Sequence, residues 1–189
     1  MRKIAPHVHK NAKTHHVMPN IIPKYTLKDM TSDGNIFNDV AVRNFAGNNK
    51  VCITSENIQE ITNVKYLVIN DSCPQMIPVN ITHVLIYFYD KSLILPSNIT
   101  HLVLSDFFNK EITLPLNLEY LQTGYSFNQK LMLPNTLRTL IINSTITSQI
   151  VLPENLEKLV LSGCFNQELV FPKSLKYLQT GMFYKRLII

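Results

Sequence analysis

The chain has 189 residues, 46% of them hydrophobic, and a formal net charge of +5. That length suits one domain with a sizeable core, and the apolar share excludes a disordered chain. The excess charge sits at one end: Arg2, Lys3, Lys10, Lys13, Lys24 and Lys28 share residues 1–30 with a single acid, Asp29, and the rest is balanced, so the body lacks by count the basic stripe that a nucleic-acid groove needs.

Residues 1–34 predict a basic, flexible tail. The start MRKIAPHVHK is positive, but no apolar stretch of a signal peptide follows it. No run in the chain is long enough to cross a bilayer. His7, His9, His15 and His16 match no metal-ligand spacing. Cys52, Cys73 and Cys164 form no CxxC pair, which argues against structural zinc and for reduced thiols in a soluble, intracellular protein. Residues 35–60 hold Phe37-Asn38 and two short apolar stretches, which predict a degenerate coil or an N-terminal cap.

From residue 61 to 189 one unit repeats. Prolines stand at Pro78, Pro96, Pro115, Pro134, Pro153 and Pro172, with gaps of 18, 19, 19, 19 and 19. Three residues after each comes Ile81, Ile99, Leu118, Leu137, Leu156 or Leu175; six after, Val84, Leu102, Leu121, Leu140, Leu159 or Leu178. Eight after comes Ile86, Leu104, Thr123, Ile142, Leu161 or Thr180. The last two positions alternate as one face of a strand does. Proline fixes φ and has no N–H to donate, so it suits the corner before that strand. Two residues on, Asn80, Asn98, Asn117 and Asn155 are placed to bond turn backbone. Upstream, Asn63, Val64, Leu67 and Ile69 keep the pattern, with Ile61 in place of proline.

The unit closes on a second apolar group. Phe108, Phe127 and Phe165, each followed by Asn (Asn109, Asn128, Asn166), stand twelve residues after a proline, and Ile146 and Tyr184 take that place elsewhere. Ile112, Leu131, Ile150, Leu169 and Ile188 follow at sixteen. The expectation is a β-rich, leucine-rich-repeat-like solenoid of about seven coils. Each coil of about 19 residues carries one short parallel strand and an extended or turn-like return, because so short a coil leaves no room for a full helix. The Asn after Phe is expected to form a ladder buried inside the coils. The chain stops at Ile189, inside a unit and without a polar cap, so that end is expected to expose apolar surface.

The outward strand positions predict a partner face. One row is His83, His101, Tyr120, Thr139, Lys158 and Tyr177; the other is Leu85, Val103, Gln122, Ile141, Val160 and Gln179. A polar-aromatic row beside an apolar one has the composition of an interface. His83 and His101 recur at equivalent positions in adjacent coils, where surface histidines are the simpler reading than a two-ligand metal site. Cys164 shows no electropositive setting that would activate its thiol. Neither G-x-S-x-G, H-E-x-x-H nor a phosphate-binding glycine loop occurs, and the chain holds five glycines in all.

The units LPLNLEYLQTGYSFNQKL (114–131) and LPENLEKLVLSGCFNQEL (152–169) resemble the FNIP repeat, as does LPSNITHLVLSDFFNKEI, which starts at Leu95. Its hallmarks are LP-x-x-L-x-x-L-x-x-G followed by FNQ-x-[IL]. The family is a relative of the leucine-rich repeats, typical of social amoebae and of large DNA viruses that infect amoebae. The resemblance implies an interaction scaffold without an activity of its own. Some members carry an N-terminal F-box, which implies a ubiquitin-ligase adaptor, but residues 1–60 show no long amphipathic helical pattern. The combined expectation is a non-enzymatic protein-binding scaffold with no cofactor or metal. A ubiquitin-ligase adaptor and weak nucleic-acid binding through the basic tail are the alternatives.

Overall fold

The computed structural model describes residues 51–53, 64–70, 77–89, 91, 93–162, 165 and 167–181. The expected tail, most of the segment 35–60, the N-terminal histidines, Cys73 and Cys164 lie outside them. The described residues form an eight-stranded sheet in sequence order: β1 (Val51–Ile53), β2 (Tyr66–Asn70), β3 (His83–Phe88), β4 (His101–Leu104), β5 (Tyr120–Thr123), β6 (Thr139–Ile142), β7 (Lys158–Leu161) and β8 (Tyr177–Thr180). Every neighbouring pair is parallel, and equivalent residues pair from coil to coil, as in Leu102↔Leu121 and Leu140↔Leu159. The chain is a β-solenoid, and its described residues contain no helix. No helix among them is long and apolar enough to cross a membrane.

The proline ladder builds the corner. Each proline carbonyl accepts a hydrogen bond from the amide three residues on, from Ile81 N→Pro78 O at 3.0 Å to Leu175 N→Pro172 O at 3.1 Å. This closes a β-turn, and the donor residue's side chain drops into the core, fully buried from Ile81 to Leu156. The residue two after the proline then ties the turn to the coil before it. Asn80 Nδ2 donates to Val64 O at 2.6 Å, Asn117 to Ser97 O at 3.0 Å and Asn155 to Asn135 O at 3.0 Å. Thr136 Oγ1 and Ser174 Oγ do the same work, donating to Leu118 O at 2.8 Å and Leu156 O at 2.7 Å. The polar side chain therefore spans coils instead of bonding its own turn.

Inward strand residues alternate with outward ones, as the i-B-i-B burial of β4, β5 and β6 shows. The inward set joins the returning segment in one core running the length of the solenoid, with Phe108, Phe127, Ile146 and Phe165 on its far side. The Phe108 and Phe127 rings stack 6.2 Å apart at 7°. Burying each such side chain contributes roughly 1.5–3 kcal/mol. The FNQ tripeptide divides its labour. Phe fills the core. Asn bonds across coils: Asn128 N→Asn109 Oδ1 at 2.9 Å and Thr147 N→Asn128 Oδ1 at 2.8 Å. These asparagines are exposed, so the ladder expected inside the coils runs along the outer rim instead. Phe turns inward there, and strand-like alternation sends the next side chain out. Gln closes the return: Gln167 Nε2 donates to Ser148 O at 2.9 Å, and its Oε1 accepts from Ile150 N at 3.2 Å.

In β8, the last strand of the order, Leu178 is half-buried where its equivalents in β3 to β7 are fully buried.

Candidate functional site

The parallel register places one side chain per coil in each outward row. The first row holds Tyr66, His83, His101, Tyr120, Thr139, Lys158 and Tyr177. Its rings stack: Tyr66 on His83 with centroids 4.3 Å apart, His83 on His101 at 4.1 Å and 15°, and His101 on Tyr120 at 5.5 Å and 15°. Lys158 Nζ lies 5.2 Å from the centroid of Tyr177, within reach of a cation–π attraction. A parallel sheet brings equivalent rings to about 4.8 Å spacing, so like aromatic positions in successive coils are set face to face by the fold itself.

Hydrogen bonds hold this ladder in place. Thr82 Oγ1 lies 2.8 Å from His83 Nδ1, and Thr100 Oγ1 lies 2.9 Å from His101 Nδ1. Tyr120 Oη donates to Gln122 Oε1 at 2.8 Å, and Tyr177 Oη to Gln179 Oε1 at 2.9 Å. Burial pushes His83 down to about 4, helped by the charges of His101 and Lys65. His101 is also lowered by burial, against the raising pull of Glu119. Burial raises the Tyr120 phenol. All three groups are therefore neutral at neutral pH. Parallel stacked imidazoles point their in-plane lone pairs alongside one another, which does not make a converging metal site. Among the described residues no cluster of three or more His, Cys, Asp or Glu can hold a metal ion.

The second row runs Val68, Leu85, Val103, Gln122, Ile141, Val160 and Gln179. Its openness is uneven. Val103, Gln122 and Ile141 are half-buried and Gln179 is exposed. Leu85, expected in the open band, is completely buried, as is Val68 beside it, although strand alternation turns both away from the core cluster. Val160 is buried too, a short β-branched side chain standing between Ile141 and Gln179 in its row. In the first row His83, His101, Tyr120 and Thr139 are half-buried, while Lys158 and Tyr177 are exposed. The open part of the face thus runs from β4 to β8, interrupted in the second row by buried Val160.

Beside this face, the residues just before β5 to β8, Glu119, Arg138, Glu157 and Lys176, form a charged rim. Glu157 pairs with Arg138 and with Lys176, both at 2.8 Å. The Lys176 bond, then its charge, and those of Arg138 hold the Glu157 carboxyl below its usual range.

A second exposed row had been hidden in the repeat. Two residues before the proline stand Ile94, Thr113, Met132, Val151 and Val170. Ile94 is 90% exposed and Val170 89%. An isolated parallel bridge joins Ile94 to Thr113. Their register against Pro96 to Pro172 was legible in the sequence, but an apolar residue beside a leucine-proline pair reads as core. The structure buries the leucine, as at Leu95 and Leu114, and turns its predecessor out. Tyr66, the first rung of the aromatic ladder, also follows from the register: it stands five residues after Ile61, the proline's substitute.

The FNIP Repeat family model matches residues 108–145 and 146–183. Each match is two repeats long and falls on the coils with the most regular corners. No curated protein and no solved structure matches the chain.

Proposed function

We infer that this FNIP repeat-containing protein is a soluble, intracellular, non-enzymatic scaffold that binds a protein partner on the outward face of its parallel sheet. One observation carries the reading. All-parallel sheets are ordinarily covered on both faces, and here the coil's own return covers one face while the other is half open from β4 to β8. That open face aligns His101, Tyr120 and Tyr177 in one row and Val103 and Ile141 in the other, among polar positions, the composition of an interface centre, beside a rim of charges. The repeated residues supply structure in every coil, through the corner, the core and the inter-coil ties. This division suits a protein whose variable outward positions select a partner.

Affinity capture from the native cell tests the reading, with wild type compared quantitatively against Ile141→Asp, Tyr120→Ala and the off-face control Glu111→Ala. The expected outcome is one set of partners lost from both face variants and kept by the control. Equal recovery by a folded Ile141→Asp/Tyr120→Ala double variant overturns it.

A further inference from the structure

The run of stacked rings in the first outward row stops at β5. Rings occupy the first outward row on β2, β3, β4 and β5, and Lys158 and Tyr177 pair on β7 and β8. Between them β6 offers only Thr139, a short side chain paired in register with Tyr120 on one side and Lys158 on the other. Two strand spacings put the β5 and β7 positions about 9–10 Å apart. A planar ring sandwiched between two surfaces needs about 3.5–4.0 Å on each face, or about 7–8 Å. The slot above Thr139 therefore admits one planar group and no more.

Its walls specify that group. The Tyr120 ring lies 15° from the plane of His101, stacked on it by one face, so its other face turns toward β6. The bond from Tyr120 Oη to Gln122 Oε1 at 2.8 Å holds the ring in that attitude before anything binds. The opposite wall is Lys158, whose ammonium already rests over one aromatic face, that of Tyr177. Half-buried Ile141, two residues along β6, continues the floor. A guanidinium in this slot would meet the Lys158 charge, and an aliphatic group would leave the Tyr120 face without a π partner. The rim argues for a protein over a nucleic-acid strand: Arg138 and Lys176 share Glu157, and Glu119 stands in the same rim before β5, so two acids offset two bases there and a phosphate backbone finds no free basic track.

We propose that the slot over Thr139, between Tyr120 and Lys158, is the docking pocket for a single aromatic side chain of a protein partner, which completes the ladder as a guest rung. The proposal rests on the strand face being the binding surface.

The chain contains no tryptophan, so the emission of N-acetyl-tryptophanamide reports binding without background under selective excitation. Wild type should give a saturable change at roughly millimolar probe, kept by Thr139→Ser. Thr139→Tyr fills the rung from within and should abolish it, with the native β spectrum and melting temperature retained. Tyr120→Ala should weaken binding about fivefold by removing one stacking wall, and this variant decides the matter if Thr139→Tyr does not fold. No saturable change with folded wild type, or full binding by Thr139→Tyr, overturns the proposal. So does equal displacement by N-acetyl-argininamide, which would mean a cation site, or tighter binding of adenosine, which would mean a nucleobase site. Partner capture lost in Ile141→Asp from a protein that binds no probe removes the slot and leaves the scaffold standing. Capture unchanged in both face variants removes both.

Discussion

At the scale of the residue, the repeat conceals positions that look interchangeable and are not. Gly124 aligns with Ser105, Asn143 and Ser162, each nine residues after its proline. A side chain is tolerated in those coils, where Asn143 Nδ2 even donates to Thr123 O at 3.0 Å. A Cβ on Gly124, however, would stand 2.0 Å from the Ser105 carbonyl oxygen and 2.5 Å from the Asp106 amide nitrogen. Backbone cannot swing aside as a side chain does, so Gly124→Ala should destabilise by about 1–3 kcal/mol, measured by urea unfolding. A loss within about 0.5 kcal/mol, the scale of an ordinary surface substitution, would contradict the close approach. Phe127 is the opposite case, since pattern and structure agree on it. It is fully buried and stacked on Phe108, so Phe127→Ala should cost about 3–5 kcal/mol through the cavity it leaves. The same unfolding assay checks it, and a near-zero change would mean that the far side of the core collapses freely.

At the scale of the element, the stacked histidines couple the sheet face to pH. His83 drops from the usual 6.5 to about 4 in the fold because of burial, with Lys65 and His101 adding repulsion. Between those values the unfolded chain binds more protons at this site than the folded one, so stability rises with pH across that window. The contribution is complete above about pH 6.5 and is lost as the pH falls toward 4. For a half-exposed ring it amounts to about 1–2 kcal/mol after solvent screening. Acid also protonates Glu157 and weakens its ion pairs, which acts in the same direction. Unfolding curves of wild type and His83→Phe at pH 4 to 7 separate the two: the variant keeps a ring in the stack and should show a shallower slope. An identical slope would exclude His83 as a cause.

The same element shows what the sequence could and could not reveal. Strand existence, direction and register were legible because Pro78 to Pro172 index every coil, and alternation then sorts inward from outward. Stacking was not legible, because composition shows that His83, His101 and Tyr120 share a row but not that their planes align. Nor was the burial of Leu85, because alternation places it in the same outward row as half-buried Val103. Thr136 and Ser174 differ from asparagine in letter, yet they donate to the same preceding coil; the shared property is a short side-chain donor, which a residue-by-residue match overlooks.

At the scale of the whole molecule, a solenoid whose coils touch only their neighbours should tolerate loss of a complete coil far better than loss of part of one. Deleting residues 115–133 removes one 19-residue period and joins equivalent positions. Leu102 would then pair with Leu140, Phe108 would lie on Ile146, and Thr100 would stand beside Arg138, all compatible neighbours. Deleting residues 134–152 also keeps the register, but it places Glu119 beside Glu157 and removes the Arg138 that pairs with Glu157 in the intact chain. Like charges directly opposed across strands cost roughly 0.2–1 kcal/mol. Both variants should fold with a β spectrum and a reduced denaturant m-value, since each exposes less surface on unfolding. The second should be the less stable, and added salt should narrow the gap because the repulsion lies on the exposed rim. A nine-residue deletion within 115–133 would bring core positions opposite rim positions, and it should abolish cooperative unfolding. Should that half-coil deletion prove as stable as the full-coil one, stability would not reside in the coil-to-coil register that the proline ladder sets.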